Sequence, residues 1–194
     1  MSLSDLPAKS ECLEPPWAGD VIRFWFEEVG AAHWFAQSDR VDALIRERFL
    51  RLHERLVEND RLGDSSPRAI LAAVIVLDQF SRNLFRADAK AFSADPIARR
   101  LSRAAIAVGF DRQLKETQQQ YFLYLPFEHS EDRNDQVLAQ TLIQPLGNDS
   151  WTRYAAAHMT IIDRFGRFPH RNEALKRPST AEELEFLKKA VNSF

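Results

Sequence analysis

Three short segments of the chain hold the side chains able to do chemistry. The first is LDQFSRNLFR, residues 77–86, which opens where a long apolar run ends. Asp78 and Arg82 stand four positions apart, the spacing at which a carboxylate and a guanidinium meet on one helical face, and Asn83 and Arg86 extend that polar surface. One reading is a salt bridge closing a core helix, since an aspartate so near a core is rarely unpaired. The other is part of a binding or catalytic site. The second segment, LPFEHSEDRNDQ over residues 125–136, places Glu128, His129, Glu131 and Asp132 around a helix start. Such a group suits a metal or a general acid and base pair. It also suits plain compensation of a helix dipole, because acidic residues favour first helical turns.

The third segment is HMTIIDRFGRFPHRN, residues 158–172. His158 falls on an apolar helical face and is expected to point inward, where a histidine serves either as a satisfied core residue or as part of a site. Gly166 lets the chain leave the helix, and Pro169 pushes Phe168 toward extended backbone. Arg164, Arg167, His170 and Arg171 then crowd a loop expected to run to about Pro178. Loops of this length without regular structure are uncommon in compact domains and often functional. Three arginines with a histidine suit a phosphate or a carboxylate. They would equally serve to neutralise Asp78, Glu128, Glu131 and Asp132.

The elements that must position these groups all read as helices. Asp20 can cap a helix carrying Val21, Ile22, Trp25, Phe26 and Val29 and ended by Gly30. Val41, Ile45, Phe49, Leu52 and Leu56 give the clearest amphipathic helix, with Ser38 as its cap. Ser66 and Pro67 open a helix containing AILAAVIVL, which is apolar on every side and so is expected at the centre. Asp95, Pro96 and Gly109 bracket another helix. A shorter one over 118–125 is expected to stop at Pro126, and Ser130 to restart the chain into a helix reaching about Leu142, with Glu131 and Asp132 in its first turn. Trp151, Tyr154, Ala155, His158, Ile162 and Phe165 share one face of the next. Thr180 and Glu183 have capping-box spacing before a last helix docked through Leu184, Leu187 and Val191. No strand pair or hairpin signal competes, so the fold class expected is all-α, with about eight helices around a central apolar helix.

The chain has 194 residues and 45% hydrophobic content with 14 Phe and 4 Trp, enough for one large ring-rich core and a single domain over residues 18–194. Residues 1–17 are expected to form a flexible lead-in, with turn formers and charges but no apolar period. The net charge of -2 gives no field that would gather nucleic acid or an anionic membrane, so neither is expected as a partner. Cys12 is the one cysteine, which excludes an internal disulfide framework and a CxxC metal or redox motif. A cytoplasmic location follows as the expectation, with no cofactor and no structural metal. The longest apolar run, residues 69–77, is about half of the ~18 residues that suggest a membrane span.

LDQFSRNLFR, FEHSED and FGRFPHRN, in this order and with FWF at residues 24–26, closely resemble the bacterial domain-of-unknown-function family 924. The resemblance runs from about Val21 to Leu187. It implies an all-helical fold related to the tetratricopeptide-repeat-like superfamily and assigns no activity. Ser81 stands where the family pattern has proline, which leaves open how sharply that helix ends. Matching the motifs residue by residue marks Asp78, Gln79, Arg82, Asn83, Glu128, His129, Glu131, Asp132, His158, Arg167, His170, Arg171 and Asn172 as a candidate surface without roles. Three functions stand beside one another. The first is a binding module whose helical groove holds a small anion or a peptide carboxylate through Arg82, Arg167 and Arg171. The second is an enzyme using a histidine and carboxylate pair or a divalent metal, although HExxH, paired ExxH, Walker and GxSxG motifs are all missing. The third is a buried ionic network that only fixes the helices.

Overall fold

A computed structural model describes residues 14–59 and 65–190. Most of the expected lead-in lies outside the described residues. Helix α1, Pro16–Arg23, begins two residues before the expected boundary, with proline at its first position, and continues through a wider π turn, Phe24–Val29. Gly30 ends it at φ 70, a conformation that a side chain would strain. Ser38 caps α2, Asp39–Glu58, by accepting from the Val41 amide. Its buried residues Ile45, Phe49, Leu52 and Leu56 are the stripe expected from the sequence.

Helix α3, Pro67–Val74, is capped by Ser66 and runs without a break through a π turn, Ile75–Phe80, into α4, Ser81–Leu84. Every residue from Ala69 to Leu77 is buried, and α3 packs against α1, α5 and α6. The run is thus the centre of the molecule. Phe80 packs edge-on against Phe24 and Trp25 and tilted on Phe49, and Trp25 meets Phe122, so the ring-rich composition is concentrated in one aromatic cluster. Each fully buried side chain of this kind contributes about 1.5–3 kcal/mol.

The remaining helices are α5, Asp95–Ala107; α6, Thr117–Glu128; α7, Arg133–Ile143; α8, Asp149–Phe165; and α9, Ala181–Ala190. Counting α3, its π turn and α4 as one rod gives eight among the described residues, which contain no strand, so the fold is all-α. No described helix is long and apolar enough to cross a membrane.

Four local expectations need correction. Asp20 does not cap α1 but lies inside it, paired with Arg23, and Pro15 holds the cap position. Pro126 does not stop α6, which continues to Glu128. The proline sits in the last turn, where it removes one amide, and the His129 amide closes the end on the Leu125 carbonyl. Ser130 does not start α7 either. Asp132 is its cap, accepting from the Asn134 amide, which leaves Glu131 outside the helix. On α9 the Thr180 and Glu183 capping box forms as expected, but Leu184 is half exposed, while Phe186 packs on Phe165. Val191 lies outside the described residues.

Candidate functional site

Asp78 lies in the π turn of the central helix, which packs against α2, α5 and α6. His129, the residue closing α6, directs its Nδ1 at both Asp78 oxygens at 2.9 Å. Gln79 also donates to Asp78, and Arg82 lies 3.4 Å away. Burial raises the Asp78 carboxyl, but the charge of Arg82 and the hydrogen bonds from His129 and Gln79 hold the group well below the usual range. Asp78 is therefore an ionised acceptor, and the His129 proton must sit on Nδ1, leaving a lone pair on Nε2. Burial lowers the His129 pKa, and Arg82 opposes the raising effect of Asp78, so the ring is neutral near pH 7.

Arg82 makes a two-pronged contact with Asp95, at 3.2 Å on each side, and donates to the Asp78 carbonyl. Asp95 opens α5 and was anticipated only as a helix bracket. It also lies 3.5 Å from Arg171, which ends a short 3₁₀ turn, Pro169–Arg171. The Arg171 guanidinium lies over the rings of both Phe92 and Phe168, 4.7 and 4.6 Å from the ring centres. It is 6% exposed, and its Nε has no hydrogen-bond partner. Burial and the nearby charge of Arg82 lower its pKa to about 10.

His158, midway along α8, donates from Nδ1 to the Tyr154 carbonyl at 2.9 Å, and the same nitrogen lies 3.2 Å from Glu128 Oε1. Its ring centre is 6.1 Å from that of His129 and 5.5 Å from Phe168, which in turn is 5.5 Å from His170. Burial lowers His158 to about 3 and His170 to about 4, with neighbouring cationic groups acting in the same direction. Glu128 is the opposite case. Burial, then the Asp78 charge, raise it to about 8, and its Oε2 has no partner. Two carboxyl groups on adjoining elements are thus pushed apart, one ionised and one protonated at neutral pH. Gln136 fixes this corner from below by donating to the Glu128 and Ser130 carbonyls at 2.6 and 2.7 Å.

The other expected residues are engaged elsewhere. Glu131 accepts from the Phe168 amide at 2.8 Å and holds Arg177 through both oxygens. Arg177 also donates to Asn172, whose amide reaches Ser179. Arg167 leaves the site for Glu183, gripping it at 2.7 and 2.9 Å, and Arg164 pairs with Glu182 on the surface. Asn83 and Arg86 both turn to Asp42 of α2. Asp132 is a helix cap and touches no arginine in the site. The loop after Gly166 is consequently folded rather than open: beyond its 3₁₀ turn, Leu175 and Arg177 amides bond back to Arg171 and Asn172, and Lys176 takes a left-handed φ of 53.

Asp78, Arg82, Glu128, His129, His158, His170 and Arg171 therefore converge. Asp95, Phe92, Gln136 and Arg177 are the partners that spacing did not reveal; Asp95 at a helix start facing surplus arginines was the one available signal. Among the described residues no group of three or more His, Cys, Asp or Glu is placed to hold a metal ion.

Comparison with curated proteins gives no match. Among solved structures, a protein of unknown function from Agrobacterium tumefaciens is 38% identical, with a TM-score of 0.83, over 89% of this chain and 97% of that one. The family described as bacterial protein of unknown function (DUF924) matches residues 21–190, a span that contains all three polar motifs and every residue of the converged site. The chain belongs to this family, DUF924.

Proposed function

We propose that the protein binds a small oxyanion, a phosphate or a carboxylate, at the guanidinium of Arg171. One observation carries the reading: a buried cation whose polar contact among the described residues is a single 3.5 Å ion pair, with its Nε left without an acceptor. An unmet buried donor costs about 1–3 kcal/mol and a charged one more, while an oxyanion meets two N–H groups of the fork at once. Phe92 and Phe168 both pack on the guanidinium, so a ligand would approach its N–H edge. Arg82 is already committed to Asp78 and Asp95 and supports the field without offering a free fork. The partner in this reading is a small anion or a peptide carboxylate met in the cytoplasm, with no nucleic acid and no membrane.

The test is Arg171→Met, which keeps an apolar side chain against the two rings without the charge. It should melt within a few degrees of the parent, since Asp95 keeps its two-pronged pairing with Arg82 and no buried charge is left uncompensated. It should also lose the stabilisation that phosphate or succinate gives the parent, about 2.7 kcal/mol at a hundred times the dissociation constant. A collapse in melting temperature, with no anion effect on the parent, would return these residues to a structural network. A second reading, acid–base catalysis, is favoured by the contrast between Asp78 and Glu128. It requires turnover that disappears in His129→Gln while anion binding persists.

A further inference from the structure

An anion site needs donors, and the dyad of Asp78 and His129 supplies something else. The side chain of Asp78 is 1% exposed and that of His129 14%, so the imidazole is the accessible end of the pair. With Nδ1–H committed to the carboxylate at 2.9 Å, the ring offers Nε2 as an acceptor. Among the described residues no group donates to it. Asp95 joins Arg171, at 3.5 Å, to Arg82, which lies 3.4 Å from Asp78, and the rings of Phe168 and His158 join Arg171 to His129, so the Arg171 fork and the dyad belong to one cluster that an anion could span. A lone pair facing an anion is repulsive unless a proton stands between them.

We infer that the ligand carries its own proton there: an oxyanion bearing an adjacent O–H group, whose oxygens take the Arg171 fork while the hydroxyl donates to His129 Nε2. A hydroxycarboxylate and a hydrogen phosphate share this chemistry, and sulfate and a plain carboxylate lack it. The inference rests on the anion-binding reading and narrows it. Asp78 is then the positioning residue that fixes the imidazole tautomer, and the site rejects ligands without the hydroxyl because its acceptor would be left unmet.

The test is calorimetric titration at pH 7.5 with two matched pairs, malate against succinate and inorganic phosphate against sulfate. At least a tenfold preference for malate identifies a hydroxycarboxylate site, and the same preference for phosphate identifies a phosphate site. His129→Leu should reduce whichever preference exists to about twofold or less, and His129→Gln serves if the leucine variant misfolds. In the parent protein, the preferred ligand should also move the nitrogen resonance of His129 Nε2 in ¹⁵N-histidine spectra, and its matched analogue should not. Equal binding within each pair, or a preference untouched in both variants, overturns the inference while leaving the anion site standing. Absence of binding by all four anions overturns the anion site itself, and this inference with it.

Discussion

Glu128→Gln separates electrostatics from packing in this core. The carboxyl group is 2% exposed, and its pKa moves from an ordinary 4.5 to about 8 through burial and the neighbouring Asp78 charge. Between these two values the folded chain keeps a proton that the unfolded chain has released, so the unfolded state binds fewer protons and stability falls as pH rises. The contribution is fully present below about pH 4.5 and is lost as pH climbs through 8. At about 1.4 kcal/mol per pH unit, the interval is worth about 5 kcal/mol, a large part of the ~5–15 kcal/mol that holds a domain together. Glutamine keeps the shape and cannot ionise. Urea unfolding of both proteins from pH 4.5 to 9 should therefore show the variant gaining on the parent by several kcal/mol across the range, whatever its starting penalty. Terms shared by both proteins, including the histidines, cancel in the difference. A difference that stays flat within about 1 kcal/mol would refute the assignment of a protonated Glu128.

The histidines should act in the opposite sense. His158 and His170 sit at about 3 and about 4 in the fold against an ordinary 6.5, so the unfolded chain takes up protons first and stability drains as pH falls from about 6.5 toward 4; His170→Asn should flatten that limb in the same urea series. Phe168→Ala removes a fully buried ring that touches His158, His170 and Arg171 and should cost about 3–5 kcal/mol, with a loss under 1 kcal/mol counting against the ring's central place. Arg177→Met should free the segment after Gly166 from Glu131, raising amide exchange over residues 168–177 while leaving α3 protected; unchanged exchange there would show that Arg177 is not the tether. Ser66→Ala and Asn148→Ala each remove a helix cap and should each lower stability by about 1 kcal/mol, read from urea midpoints.

The sequence made the helices legible where period and caps agreed. Ser38, Ser66 and Gly166 all act as their types suggest, and residues 69–77 are central because an all-round apolar run has nowhere else to go. It failed where one residue's local tendency competed with its neighbours. Pro126 reads as a stop, but the turn is closed by the His129 amide. Glu131 reads as a first-turn acid, but Asp132 captures the cap and frees Glu131 to hold a loop far along the chain. The site itself was half visible. Asp78, His129 and Arg171 could be named from residue type, but which arginine stays in the site depends on which carboxylate reaches it. Arg167 is drawn off by Glu183 and Arg177 by Glu131, distances that no spacing encodes. The π turn was invisible because it leaves no mark in composition.

That turn gives the central helix an unusual sensitivity to its winding. A π turn holds one residue more than an α turn, and each residue of an α-helix advances the direction of its side chains by about 100°. Were the same residues wound instead as an uninterrupted α-helix, the backbone bonding would be kept. Everything beyond would then rotate by about 100°, carrying Asp78 away from His129, Arg82 away from Asp95 and Ser81 away from its bond to His53. The chain would retain a long apolar helix and lose the alignment of three buried polar partners together. The helix therefore works as a register key, in which the winding of the residues matters as much as their identity.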